Sequence, residues 1–291
     1  MLGEIRGEVR FKEPLSFHTS LRIGGPADIF VVPQDVEDIR HALMFAEREQ
    51  LPVAVVGGGN NLVVRDRGIR GVVLKLEGCL GRAEYYGEEA LAGAGVGLSA
   101  LIREAAALNL GGIECLVGIP ATIGGALAMN AGTADGWIGD FVSAVYYLHP
   151  DGALGEFKPS GEFGYRAFHL PAGAVLIGCR LQLHRRPLPE IQKEIRARLK
   201  QKKATQPLAL ASAGFVWKNP AGELASRLIE KAGLRGKRVN GAEISSKHAN
   251  FIVNRGAAGA ADILHLMELT RERVHGHFGI TLETEIRILG E

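Results

Sequence analysis

Apolar and polar positions repeat on two periods along the chain, and the switches between them outline its elements. Asp28–Val32 is a short apolar run of the kind that forms a buried strand. From Val36 to Arg48 the spacing turns helical, with Ile39, Leu43 and Ala46 on one face and Asp35 placed as the N-cap. Val53–Val56 is a second short strand that runs directly into Gly57-Gly58-Gly59-Asn60-Asn61. Strand, helix, strand and glycine loop in that order open a mixed α and β unit. Further strands are predicted at 72–76, 90–94, 142–148 and 174–183. A helix over 98–108 puts Leu101, Ile102, Ala105 and Leu108 on one face.

Pro187 and Pro189, just after Arg185-Arg186, mark the clearest break in the pattern. A charged helix follows over 190–203, with Ile191, Ile195 and Leu199 as its apolar stripe. Its basic residues read either as a solvated face or as phosphate contacts. Beyond it the pattern predicts a helix over 223–232 closed by Gly233, a strand at 251–253, a helix over 260–278 and a last strand at 283–289. No segment repeats at a fixed period.

Composition narrows the function classes. The chain has 291 residues, 46% hydrophobic and 23% charged, with a net charge of +2. That is enough for two or three units with real cores, and nothing points to a nucleic-acid or membrane-surface partner. Glu4, Arg6, Glu8 and Arg10 alternate in sign where a secretory leader would be apolar. No run approaches the roughly 20 apolar residues of a membrane span. The expected compartment is the cytoplasm. Cys79, Cys115 and Cys179 are odd in number and widely spaced, and read as reduced, partly buried thiols. His275 and His277 lack a third ligand nearby in sequence, so no metal is expected.

The 39 glycines carry more information, because they cluster at 57–59, 93–97, 111–112 and 118–132. Such clusters occur where the backbone takes positive φ or approaches something closely. A strand entering Gly57-Gly58-Gly59 reads either as an anion-binding turn suited to a diphosphate or as a structural turn. Neither a Walker lysine nor a G-x-G-x-x-G follows it, which weighs against nucleotide-triphosphatase and nicotinamide-fold readings. The segment Gly118–Gly132 (GIPATIGGALAMNAG) is free of charge. It reads as backbone wrapped around a large flat cofactor, or as a packed turn between helices.

Together these segments resemble the FAD-binding domain of the vanillyl-alcohol-oxidase (PCMH) type, and in detail the shorter form of the enolpyruvoylglucosamine reductases. The resemblance extends from HTSLRIGGPAD (18–28) through FGYR (163–166), WKNP (217–220) and KHANFIVN (247–254) to LETEIRILG (282–290). It implies an α+β fold. A two-subdomain FAD domain would cover 1–186 (about 1–78 and 79–186), a substrate domain 187–278, and a final strand 279–291 would return to the flavin with Glu285.

The implied reaction uses non-covalent FAD, reduced by NADPH, to reduce UDP-N-acetylenolpyruvoylglucosamine to UDP-N-acetylmuramate for peptidoglycan. The implied cofactor contacts are Gly57, Gly58, Gly59, Asn60, Asn61 and Leu62 in the first loop. In the second they are Ile119, Pro120, Ala121, Thr122, Gly124, Gly125, Asn130, Ala131 and Gly132. Adding hydride to an alkene conjugated with a carboxylate builds charge on that carboxylate, and Arg166 matches the arginine whose planar fork would hold it. Glu285 matches the glutamate that stabilises the developing enol, a role open to a carboxyl that an apolar pocket keeps protonated. Tyr165, Lys218, Asn219 and Lys247 match substrate contacts.

One position departs from the family. After Ser212-Ala213-Gly214, where a serine or cysteine would give the proton, this chain has Phe215, which has none to give. Two alternatives stay open on that account: another FAD oxidoreductase of the superfamily, or a catalytically impaired flavin-binding relative. The expected state is a monomer or weak oligomer acting on a UDP-sugar.

Overall fold

The charged N-terminal stretch, which the pattern did not mark as structured, is a strand. In the computed structural model, which describes residues 2–76 and 80–291, β1 (Glu8–Pro14) is the outer strand of a four-stranded sheet ordered β1-β2-β5-β3. The other members are β2 (Pro26–Val32), β3 (Val53–Val56) and β5 (Ile69–Lys75). Glu8, Arg10 and Lys12 along the edge discourage pairing with another chain. Helix α1 (Val36–Arg48) starts as predicted. The Asp35 carboxylate accepts the amides of Glu37 and Asp38, and Ile39, Ala42, Leu43 and Ala46 are buried. β3 lies parallel to β5, with Val56 opposite Lys75.

A second, antiparallel sheet orders Leu154–Phe157, Val142–Leu148, Val175–Gln182, β7 (Glu89–Gly93) and β6 (Ala83–Tyr86). Leu101, Leu116, Ile123, Leu127 and Val145 form its core with α2 (Leu98–Ala107) and α3 (Ile123–Ala128). Cys115 and Cys179 are free and buried. Burial pushes their thiols up to about 11 and about 12. Cys79 lies outside the described residues.

The chain packs as two units. One comprises Met1–Phe11, Ile29–Gly58 and Gly71–Lys202; the other comprises Lys12–Asp28, Gly59–Arg70 and Lys203–Glu291. These units differ from a linear division at 186 and 278, whose inner boundary near 78 also falls outside the described residues. The reason at 186 is local. Arg186 pairs with the buried Glu114 at 3.2 Å and with Glu194 at 2.7 Å, and its amide donates to the Asn109 carbonyl. Helix α4 (Leu188–Thr205) therefore begins inside the first unit, with Pro189 tolerated in its first turn.

In the second unit an antiparallel sheet orders Ala211–Ser212, Ile252–Asn254, Ala242–Ile244 and Arg238–Val239. α5 (Ala225–Lys231) and α6 (Ala260–Phe278) pack around Trp217, Leu228, Ile244, Ile263 and Leu266. Asp66, far away in sequence, accepts the first amides of α6 from Ala260 at 2.9 Å and Ala261 at 3.1 Å. The last strand is shorter than predicted, Arg287–Leu289, and pairs in parallel with β4 (Leu62–Val64). Residues before it pair differently, through Thr284 opposite Trp217. The mixed helices and sheets bear out the α+β class. No helix among the described residues is long and apolar enough to cross a membrane.

Candidate active site

In the first unit β3 delivers the chain to Gly57, whose carbonyl accepts a 2.7 Å bond from Lys75 Nζ. A Cβ on Gly57 would stand 2.5 Å from Thr122 Oγ1, so the two glycine segments meet there at a separation only glycine allows. Thr122, itself buried, caps α3 by accepting the Gly125 amide. The Ile123 and Gly124 amides donate to Val96 and Ala94, each at 2.8 Å, and a Cβ on Gly124 would press on Ala94. Backbone rather than side chains therefore shapes this uncharged segment. That fits a flat, phosphate-bearing group such as FAD.

Asn130 has a different job from a simple contact. Buried and at φ 38°, it donates from Nδ2 to the Gly164 carbonyl (2.9 Å) and accepts the Gly139 amide at Oδ1 (3.1 Å). It thereby ties down the hairpin Phe163–Gly164 and Ala167–Phe168, whose two-residue tip is Tyr165-Arg166. Arg166 sits at φ 55°, a conformation that an arginine adopts only at a cost. Its Nη1 donates to the Gly132 carbonyl at 3.2 Å, and its guanidinium lies 5.1 Å from the Trp137 ring centre. Tyr165 meets the same indole edge-on at 5.6 Å. A cavity of about 460 Å³ opens beside these residues, lined by Asn130, Trp137, Asp140, Phe163 and Tyr165.

In the second unit Gly59 has φ 65°, and a Cβ there would collide with the His18 carbonyl. Its own carbonyl accepts from the Ser20 amide, while Ser20 Oγ bonds the Ser212 carbonyl at 2.7 Å. Asn60 lies against Gly214. Asn61 Nδ2 donates to the Glu285 carbonyl at 3.2 Å, and the Arg287 amide donates to Asn61 at 2.9 Å. Leu62 pairs with Arg287. The Glu285 amide donates to Val216 at 2.8 Å and the Lys218 amide to Glu283 at 2.9 Å. This crossing sets Asn61, Phe215 and Glu285 near one another.

Phe215 belongs to a cluster of three rings. It stacks on His248 at 5.0 Å and 20°, and Phe251 stands edge-on to both. Burial first of all holds His248 below its ordinary pKa. Three predicted substrate contacts have local partners. Lys218 Nζ is 3.3 Å from Glu283, the Asn219 side-chain oxygen caps α5 at Ala225, and Lys247 Nζ donates to the Lys203 carbonyl.

Sequence reasoning missed Trp137, and it quoted Asn250 only as part of KHANFIVN, without a role. Buried Asn250 brackets Trp217 by accepting its amide and donating to its carbonyl, and so holds the segment that leads into Lys218 and Asn219. Neither stands in a glycine segment or a charge pair, so local pattern held no signal for what they hold in place.

Comparison with known proteins agrees with this layout. Residues 27–157 match the FAD binding domain model, and residues 206–289 match the model of the UDP-N-acetylenolpyruvoylglucosamine reductase C-terminal domain. A UDP-N-acetylenolpyruvoylglucosamine reductase of Pelobacter propionicus is 43% identical over 99% of this chain and 97% of its own. That of an Anaeromyxobacter species is 46% identical over 99% and 90%. The crystal structure of the Thermus caldophilus reductase superposes with a TM-score of 0.84 at 38% identity, covering 98% of this chain and all of that one.

Proposed function

The chain belongs to the UDP-N-acetylenolpyruvoylglucosamine reductase family, and we propose that Arg166 and Glu285 carry its chemistry while Phe215 slows one step of it. It is an FAD-dependent oxidoreductase of peptidoglycan precursor synthesis. It reduces the enolpyruvyl ether of UDP-N-acetylglucosamine with NADPH. When bound, FAD supplies the hydride, taken from NADPH and delivered to the terminal carbon of the double bond.

The observation that carries the residue assignment is the setting of Arg166. A strained hairpin tip, the Gly132 carbonyl and the Trp137 face fix the fork before any ligand arrives. A preorganised guanidinium loses little entropy when it takes a carboxylate bidentately. As negative charge develops on that carboxylate, the arginine's hold tightens, so the interaction favours the transition state over the ground state. Glu285, anchored through its own amide and carbonyl, is assigned to the enol oxygen. The backbone of 57–62, Thr122 and the segment 119–132 is assigned to FAD, and Tyr165, Lys218, Asn219 and Lys247 to the UDP-sugar. The assigned FAD domain is 1–186 and the substrate domain 187–278. The assigned setting is a cytoplasmic monomer or weak oligomer with no nucleic-acid or membrane partner.

Phe215 favours a second reading, a silent flavin-binding protein, because its ring fills the donor position with a group that has no exchangeable proton. One experiment separates the two. The protein is reduced under anaerobic conditions, substrate is added, and the flavin absorbance is followed. Recovery of the oxidised spectrum with formation of UDP-N-acetylmuramate is expected. A flavin that stays reduced would leave only the silent reading.

A further inference from the structure

The turn over 19–23 is closed by several independent bonds. The buried Thr19 hydroxyl donates to the Ile23 carbonyl at 2.7 Å and accepts the Ile23 amide at 3.2 Å. The Arg22 amide donates to the Thr19 carbonyl at 3.0 Å, with Arg22 at φ 57°. Asn254 Nδ2 adds a tie from the neighbouring sheet, 2.9 Å to the Leu21 carbonyl. A turn held on all these sides is a rigid mount, and half-buried Ser20 is what it presents.

Ser20 reaches two separate segments of the second unit. Its amide donates to the Gly59 carbonyl at 3.1 Å. Its Oγ lies 2.7 Å from the Ser212 carbonyl and 3.2 Å from the Gly59 carbonyl. A hydroxyl has one proton to give, and the shorter contact takes it. The amide therefore secures the first glycine loop, while the hydroxyl secures the strand that ends at Ser212.

Both segments lead to the backbone of Glu285. Beyond Gly59, Asn61 Nδ2 donates to the Glu285 carbonyl at 3.2 Å. Beyond Ser212, the Val216 carbonyl accepts the Glu285 amide at 2.8 Å. The two segments also approach each other directly, since a Cβ on Gly214 would stand 3.9 Å from the Asn60 carbonyl oxygen. A closed circuit of hydrogen bonds and short chain segments thus leaves Ser20 in two directions and meets at Glu285.

We propose that Ser20 is a positioning residue for Glu285, its hydroxyl fixing the separation of the two segments that hold that residue's amide and carbonyl. This rests on the assignment of Glu285 to the enol oxygen. A reacting group displaced by a fraction of an ångström loses much of its effect, so the consequence belongs to the substrate half of the reaction.

The division between amide and hydroxyl makes the role separable from a general loss of structure. Ser20→Ala removes the hydroxyl tie and keeps the amide tie. FAD binding, titrated on the apoprotein, should match wild type, and so should flavin reduction by NADPH. The limiting rate of flavin reoxidation by substrate should fall about 2- to 10-fold, the worth of one neutral hydrogen bond, with the substrate dissociation constant nearly kept. Ser20→Thr keeps a hydroxyl on the same carbon and should recover most of that rate. Amide exchange over 213–216 and 284–286 should quicken in Ser20→Ala, return in Ser20→Thr, and stay as in wild type over 59–61.

A Ser20→Ala protein that keeps the limiting rate overturns the inference, as does one that loses FAD binding and both half-reactions together. So does a folded, FAD-loaded Ser20→Thr protein as slow as Ser20→Ala. A wild-type flavin that NADPH reduces and substrate never reoxidises overturns the proposed reaction instead. The tie to Glu285 is then decided by the exchange at 284–286, and an unchanged rate there in Ser20→Ala overturns it.

Discussion

Replacing Phe215 by serine should make the protein less stable and faster at once. The ring takes part in two aromatic pairs, with His248 at 5.0 Å and Phe251 at 5.2 Å. Each pair is worth roughly 0.5 to 1.5 kcal/mol beyond area burial. A fully buried phenylalanine costs about 3 to 5 kcal/mol to truncate. Phe215 is only half-buried, so a loss of about 2 to 3 kcal/mol is the reasonable expectation. In a chain of this size that lowers Tm by roughly 3 to 6 °C.

Loss of the ring also lets water reach the imidazole, so His248 should titrate closer to its ordinary value. The sign follows from linkage. A histidine held below its unfolded pKa costs stability as pH falls through the unfolded value of 6.5 towards the folded one. The serine variant should therefore lose less stability across that window than wild type. Against this, the new hydroxyl offers a proton donor, and a positioned general acid is worth roughly 10²- to 10⁴-fold. Stopped-flow reoxidation of reduced flavin by substrate, measured well below the lower Tm, reads the gain, and calorimetry reads the loss. A wild-type rate equal to that of folded, FAD-loaded Phe215→Ser protein would refute the reasoning, since another group would then be giving the proton.

Three further outcomes are expected. Arg166→Lys keeps the charge but loses the fork, and should slow flavin reoxidation by substrate about 10²- to 10³-fold while reduction by NADPH, followed in the same instrument, stays nearly unchanged. Gly57→Ala drives a Cβ against Thr122 Oγ1, and should lower the FAD retained through gel filtration relative to wild type. Burial pushes the Asp38 carboxyl up, but the amides of Gln34, Arg6 and Gly7 hold it below 3.8 overall. It contributes stability above its unfolded pKa that is lost as pH falls through the folded one. Asp38→Asn should thus destabilise at neutral pH and show a shallower acid limb in urea titrations.

Helix α1 and its Asp35 cap were legible because every partner lies within a turn of the chain. The glycine segments were legible as unusual chemistry, though not as a pair that meets at Gly57 and Thr122. Strand β1 escaped notice because its alternation is short, with only Val9 and Phe11 between Glu8, Arg10 and Lys12 before Glu13 and Pro14 break it. Asp66 gives no sign in sequence of capping α6, nor Asn250 of bracketing Trp217, since each acts across many intervening residues. The break after Arg186 was read as a boundary because proline ends elements. The ion pairs of Arg186 with Glu114 and Glu194 also bind the start of α4 to the residues before it, a link that no local pattern shows.

The pairing of Leu62–Val64 with Arg287–Leu289 bears on the order in which the chain is made. During synthesis the first unit is complete once residue 202 has emerged, yet the strand that trails the first glycine loop must wait until residues 287–289 are translated. Until then β4 has an unsatisfied ladder edge, and Asp66, just beyond it, has gained a helix to cap only since α6 emerged. Closing a contact between such distant positions is entropically slow. The loop assigned to the flavin therefore gains its final support only in the last step of vectorial folding, and removal of a few residues after Ile286 strips that support while leaving the first unit whole.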